Sequence, residues 1–243
     1  MIFFLATLVG VSLGLLGSGG SILAVPILKY GAGLSVKQAV ATSLATVGAV
    51  SALGAGLAWR EGRVLLKEGM LFAVVAMLGT VGGVKIANLM SDKLQMSVFV
   101  VVMALASLRM AQSKKAKKEA KPEVSWQGGL RALAVGVLTG IAGVGGGFLI
   151  VPALVSLFHL PMKKATGTSL LVIALNSMVG MGAYAQTVSL NWGFVAGFAG
   201  AAAFGLVVGM RASRRIEDSR LQKLFALGLL LVSGYVIFRE FMP

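Results

Sequence analysis

Gly143-Val144-Gly145-Gly146-Gly147-Phe148-Leu149-Ile150-Val151-Pro152 is a second copy of Gly17-Ser18-Gly19-Gly20-Ser21-Ile22-Leu23-Ala24-Val25-Pro26, which lies 126 residues earlier. The offset runs on without a gap to Thr42-Ser43-Leu44 against Thr168-Ser169-Leu170. Between 17–51 and 143–177, 14 of 35 pairs are identical. Shared composition alone would give roughly one in ten, so the chain carries an internal duplication. The same offset matches Gly79 with Gly205, Gly83 with Gly209 and Asp92 with Asp218. The organisation is a first repeat over 1–112, a basic linker over 113–125 and a second repeat over 126–243.

Around these two copies the chain is apolar throughout. Its 243 residues are 57% hydrophobic and 12% charged, with a mean hydropathy of +0.91. A soluble domain carries about 25% charged residues and avoids large exposed apolar patches. That excludes an ordinary cytosolic enzyme, a disordered protein and a secreted disulfide scaffold, and leaves an integral helical membrane protein. Cysteine is absent and His159 is the single histidine, so thiol chemistry, zinc-thiolate sites and histidine-based catalytic pairs are gone. Residues 1–11 are apolar without a leading Lys or Arg, a poor signal peptide expected to stay in the mature protein. The net charge of +14 sits in short clusters between apolar runs. That is a membrane-topology pattern and not a nucleic-acid surface.

Eight apolar stretches cover 1–30, 38–59, 69–90, 94–111, 128–158, 165–186, 192–210 and 221–238. Six have the length of a membrane-spanning helix, about 20 residues. The stretches 1–30 and 128–158 are too long, and each holds a Gly-rich interruption followed by Pro. If all eight crossed once, Lys and Arg would split 11 to 11 between the two faces. If the two long stretches are re-entrant hairpins, the split becomes 17 to 5, with Lys29, Lys37, Lys85, Lys93 and Arg239 outside. The positive-inside rule prefers the second arrangement. It places both termini and Gln186–Trp192 outside and the lysine-rich linker in the cytoplasm. The expected fold is all-α: two inverted repeats, each a Gly/Pro-broken re-entrant hairpin plus three transmembrane helices. This is the plan of secondary transporters, with the broken helices meeting near the midplane. Pro26 and Pro152 are expected near the start of the returning half-helices, where a missing N–H is least harmful.

A Gly-rich turn entering a half-helix offers unpaired N–H groups and the positive end of a helix dipole, a natural anion site. The expected ligands are backbone N–H groups of Gly19-Gly20-Ser21 and Gly145-Gly146-Gly147, within turns that also contain Gly17, Ser18 and Gly143. Ser18, Ser21, Thr42, Ser43, Thr168 and Ser169 can add hydroxyls. The hydroxyls of the two Thr-Ser pairs can equally bond preceding helical carbonyls. Asn176, an amide inside an apolar helix, is a ligand candidate or interhelical glue; its repeat partner is Val50. Gly10, Gly14, Gly79, Gly82, Gly83, Gly136 and Gly140 read as close helix packing. Lys37 and Lys163, matched by the offset, either snorkel or draw anions to the two vestibules. The Met residues fill gaps. All eight acidic residues lie in loops or at helix ends. The spans hold no catalytic pair or metal cluster, so neither an enzyme nor a cofactor is expected. The Gly turns lack the strand, Lys and acidic ribose ligand of nucleotide loops.

The paired pattern resembles the sulfite exporter TauE/SafE family. Its marks here are Gly17 to Pro26 followed by Ala39-Val40-Ala41-Thr42-Ser43, and Gly143 to Pro152 followed by Ala165-Thr166-Gly167-Thr168-Ser169. The resemblance implies a multi-pass permease of the bacterial inner membrane that moves sulfite, a sulfonate or a related anion. The partners would be that anion and the lipid bilayer, with a homodimer left open. The other class still open is a non-transporting membrane assembly or partner protein.

Overall fold

The computed structural model describes residues 1–112, 126–142, 147–156, 160–184 and 188–241. The expected linker, His159 and Gly143, Gly145 and Gly146 of the second turn lie outside the described residues. The described chain is helical without strands. The first long stretch is α1 (Ile2–Leu16), α2 (Gly19–Pro26) and a π turn (Ile27–Gly31). Then come α3 (Val36–Arg60), α4 (Leu66–Leu89) and α5 (Asp92–Gln112). The second long stretch is α6 (Trp126–Ala142) and α7 (Gly147–Ser156). It is followed by α8 (Met162–Tyr184), α9 (Trp192–Ser213) and α10 (Asp218–Phe241). Five of these, α3, α4, α8, α9 and α10, are long and apolar enough to cross a membrane among the described residues. Leu78, Phe204 and Leu231 project outward from three of them, a liability in water and the expected surface in lipid.

Local chemistry sets the boundaries. Ser35 accepts the Gln38 N–H while the Gln38 side chain takes the Ser35 N–H, a capping box that starts α3. At its other end Gly62, with φ +68°, donates to the Trp59 carbonyl, and Arg63 N–H reaches Ala58. These two bonds are the Schellman pattern, and they hold Arg63 in one place. Gly17, with φ +74°, ends α1, and the chain reverses so that Gly31 lies beside Ile2 and Leu5. Pro26 is not at the start of the returning helix as expected. It is the last residue of α2, and Pro152 is interior to α7. Pro26 has no N–H to give Ile22, and the ladder loosens into the π turn, where Ala32 N–H bonds Ile27.

Packing follows the duplication. α1 lies along α9, and α6 along α4. Each repeat's opening helix thus pairs with a helix of the other repeat. A Cβ added at Gly14 would lie 2.7 Å from the Met210 nitrogen, and one at Gly140 2.7 Å from the Val84 nitrogen. The same correspondence joins Gly205 to Val11 and Gly79 to Val137, at 2.9 and 2.8 Å. Gly10, Gly14, Gly79, Gly83, Gly136 and Gly140 all press on facing backbone. Gly82 does not: nothing lies within 4 Å of it. Between the seams α3 and α8 cross antiparallel, with Gly54 on Leu170 and Gly180 on Leu44, the same contact under the offset. α5 and α10 also run antiparallel, joined by Ser107 to Ala226 and Gln222 to Met110, both at 2.9 Å.

Candidate functional site

Both returning arms reach the centre of this frame: α2 touches α3, α7 touches α8, and α2 and α7 touch each other. Ser18 is the N-cap of α2, and its side chain does not cap the first N–H groups there. Ser18 is fully buried, with its Oγ unpartnered. Ser21, expected to offer a hydroxyl, spends it on the Ser18 carbonyl at 2.7 Å. Gly19 and Gly20 lie flush on α1. A Cβ at Gly19 would meet Ser12 Oγ at 2.5 Å, and one at Gly20 would meet Leu13 Cβ at 2.7 Å. Glycine is thus required by packing here, whatever else the N–H groups do.

The first turn packs near the start of α8. Gly17 abuts Thr166, one helical turn from the start of α8, where an added Cβ would lie 2.5 Å from the Thr166 Cα. The physical reason is length. α1 has 15 residues, about 22 Å of helix, and it runs parallel to α9 almost to the end that carries Arg211 and Arg214. Gly147 is the first residue of α7.

The Thr-Ser pairs separate into different roles. Thr168 Oγ accepts the Leu65 N–H at 3.0 Å and so ties the α3–α4 loop to α8. Ser169 donates to the Thr166 carbonyl at 2.8 Å, a local helix bond. Thr42 is buried, and its carbonyl takes the Thr46 hydroxyl. Ser43 is fully buried with a free Oγ. Asn176, also fully buried, has neither amide atom bonded. Two further free hydroxyls join it, Ser51 and Ser177. Both lie in α3 or α8, with Ser177 packed on Gly48. They are partners under the offset, and that matched pair was the signal available in the sequence. A buried polar group without a partner is rare in a folded protein, and each asks for an explanation.

The ends of the bundle carry the charge. Lys37 Nζ donates to the Asn88 carbonyl and Lys163 Nζ to the Arg214 carbonyl, each at 3.4 Å and again offset partners. Both lysines therefore serve the C-terminal carbonyls of α4 and α9, a favourable place for a cation. At one end Lys29 and Arg239 lie over the Tyr30 ring. At the other Glu61 pairs with Arg63 and Arg214. The carbonyls that close α6 are held by side chains the sequence did not flag. Gln95 Nε2 bonds Ile141 at 2.9 Å, and the Tyr184 hydroxyl bonds Gly140 at 3.5 Å.

Residues 2–236 match the family model described as "Sulfite exporter TauE/SafE". The chain belongs to the TauE/SafE sulfite exporter family. A "Probable membrane transporter protein" from Xylella fastidiosa is 33% identical over 243 aligned residues, covering 96% of this chain and 92% of that protein. The "Probable membrane transporter protein YunE" of Bacillus subtilis is 26% identical, with 98% of both chains covered. No solved structure matches. As a TauE/SafE member the protein is a multi-pass membrane transporter and not an enzyme.

Proposed function

We propose that this transporter is a permease for a small sulfur-containing anion, sulfite, a sulfonate or a related oxyanion, built from two inverted repeats. The observation that carries the reading is the set of buried, unpartnered polar groups: Ser18 at the start of α2, Ser43 and Ser51 on α3, Asn176 and Ser177 on α8. Hydroxyls, amide N–H groups and a helix start are donors that suit an oxyanion, and no carboxylate stands in these spans to repel one. Bonds to an ionised acceptor are roughly twice as strong as neutral ones. The antiparallel crossing of α3 with α8, partners under the offset, supports inversion. The path is read as running beside the returning arms α2 and α7.

The test is flux. Vesicles containing the purified chain should move sulfite above empty vesicles and leave an organic cation untouched. Vesicles that move none of sulfite, thiosulfate, taurine and sulfate would point instead to a non-transporting membrane partner.

The same reading sets the topology: a bacterial inner membrane, with Glu61, Arg63, Lys163 and Arg214 at the cytoplasmic end and Tyr30 and Arg239 at the other. Cysteines introduced at Ser113 and Ser189 of this Cys-free chain should react with an impermeant thiol reagent from opposite sides. Labelling from one side would overturn the arrangement.

A further inference from the structure

We infer that Arg63 is the anion-selecting cation of the Glu61 end of the path, held in reserve by Glu61. The inference rests on the anion-permease reading and adds to it a residue on the α3–α4 loop. Gly62 and its two Schellman bonds fix the Arg63 backbone. That backbone lies on α8: a Cβ at Gly167 would sit 3.0 Å from Arg63 Cβ. The preceding residue, Thr166, is the one against which the Gly17 turn rests. Arg63 and the Gly17 turn, which leads into α2 two residues later, therefore abut consecutive residues of one helix. The Arg63 side chain is only 15% exposed. Its Nη2 pairs with Glu61, while its buried Nε has no hydrogen-bond partner. An arginine fork facing one carboxylate oxygen has donors to spare, and two oxygens of a sulfur oxyanion can take that fork in two-point fashion, as phosphate oxygens do.

Glu61 is shared. Its other oxygen holds Arg214, which is 59% exposed. Three charges, two positive and one negative, thus stand where one anion would complete the pairing. The duplication sharpens the point. The offset partners of Glu61 and Arg63 are Thr187 and Ser189, both uncharged. One vestibule carries a cation beside its turn, and the equivalent loop of the other repeat carries none. Close helix packing needs no such difference, whereas a transporter that takes an anion at one face and releases it at the other uses it directly.

The experiment measures sulfite binding by titration calorimetry on the detergent-purified full chain, with sulfite flux in vesicles alongside. Arg63→Gln should weaken binding on the order of tenfold, since a charge-assisted bond is lost. Arg63→Lys, which keeps the charge and loses the fork, should recover part of it. Glu61→Gln frees the guanidinium and should tighten binding several-fold. Arg214→Gln leaves Glu61 to Arg63 alone and should weaken it. A merely structural ion pair would instead move Glu61→Gln and Arg214→Gln in the same direction. Wild-type affinity in Arg63→Gln, or weakened binding in Glu61→Gln, overturns the assignment. If sulfite binds and Arg63 governs it while vesicles carry no flux, the permease reading falls and the Arg63 site stands. If the wild-type chain binds no sulfite, the Arg63 assignment falls.

Discussion

Asn176→Val should make the protein more stable and nearly inactive. Asn176 is fully buried in α8, and neither its Oδ1 nor its Nδ2 has a partner. Leaving such a group unsatisfied costs about 1–3 kcal/mol. The duplication supplies the control: its partner Val50 occupies the matching position of α3, also buried, so the frame accepts valine there. Removing the orphan amide should raise the melting temperature of the detergent-solubilised protein by an amount equivalent to about 1–3 kcal/mol. Losing a donor to an ionised ligand should weaken anion affinity by roughly 10- to 100-fold, at about 1.4 kcal/mol per factor of ten. The two shifts have opposite consequences, and together they mark a residue kept for function against stability. If Asn176→Val melts lower and transports normally, Asn176 is interhelical glue and leaves the candidate site.

The helices were legible because hydrophobic runs and their interruptions are local. The two Gly-Pro stretches interrupt the helices where the sequence is interrupted, whereas the caps at Ser35, Gln38 and Gly62 came into view only with the structure. The duplication also carried far, since every seam contact at Gly14 or Gly205 has its twin at Gly140 or Gly79. Depth was not legible. Nothing in Gly17-Ser18-Gly19-Gly20 says how far 15 residues of α1 travel beside α9, or that the first turn comes to rest on Thr166. Partner choice was hidden too. Gly10 and Gly14 would suit any helix with a matching small-residue stripe, and only the fold sends α1 to the other repeat. Hydroxyl roles depend on what lies across the gap. Thr168 is committed to Leu65, which is 103 residues away in sequence, whereas Ser43 is committed to nothing.

Valine at Gly14 and valine at Gly140 should damage the protein equally, and more than at any loop position. At both sites the added carbon would lie 2.7 Å from a backbone nitrogen of the facing helix, Met210 in one seam and Val84 in the other. Backbone cannot swing aside as a side-chain tip can, so the helices must separate along the seam. Overpacking of a closed core costs about 1–3 kcal/mol and occasionally more. A clash with main chain belongs at the upper end, about 3 kcal/mol, out of a total near 5–15. In lipid there is no hydrophobic gain from holding helices together, so close contact itself supplies the association and its loss is not compensated. The readout is the yield of monodisperse protein in detergent and its melting temperature. Gly82→Val and Gly228→Val, where nothing lies within 4 Å, should behave as wild type in both. Because α1 pairs with α9 and α6 with α4, either seam holds the two repeats together, and opening one should release a helix pair rather than a surface patch. Normal yield and melting of Gly14→Val would mean that the seams are looser than the structure draws them, and a loss at Gly14 without an equal loss at Gly140 would break the equivalence of the two repeats.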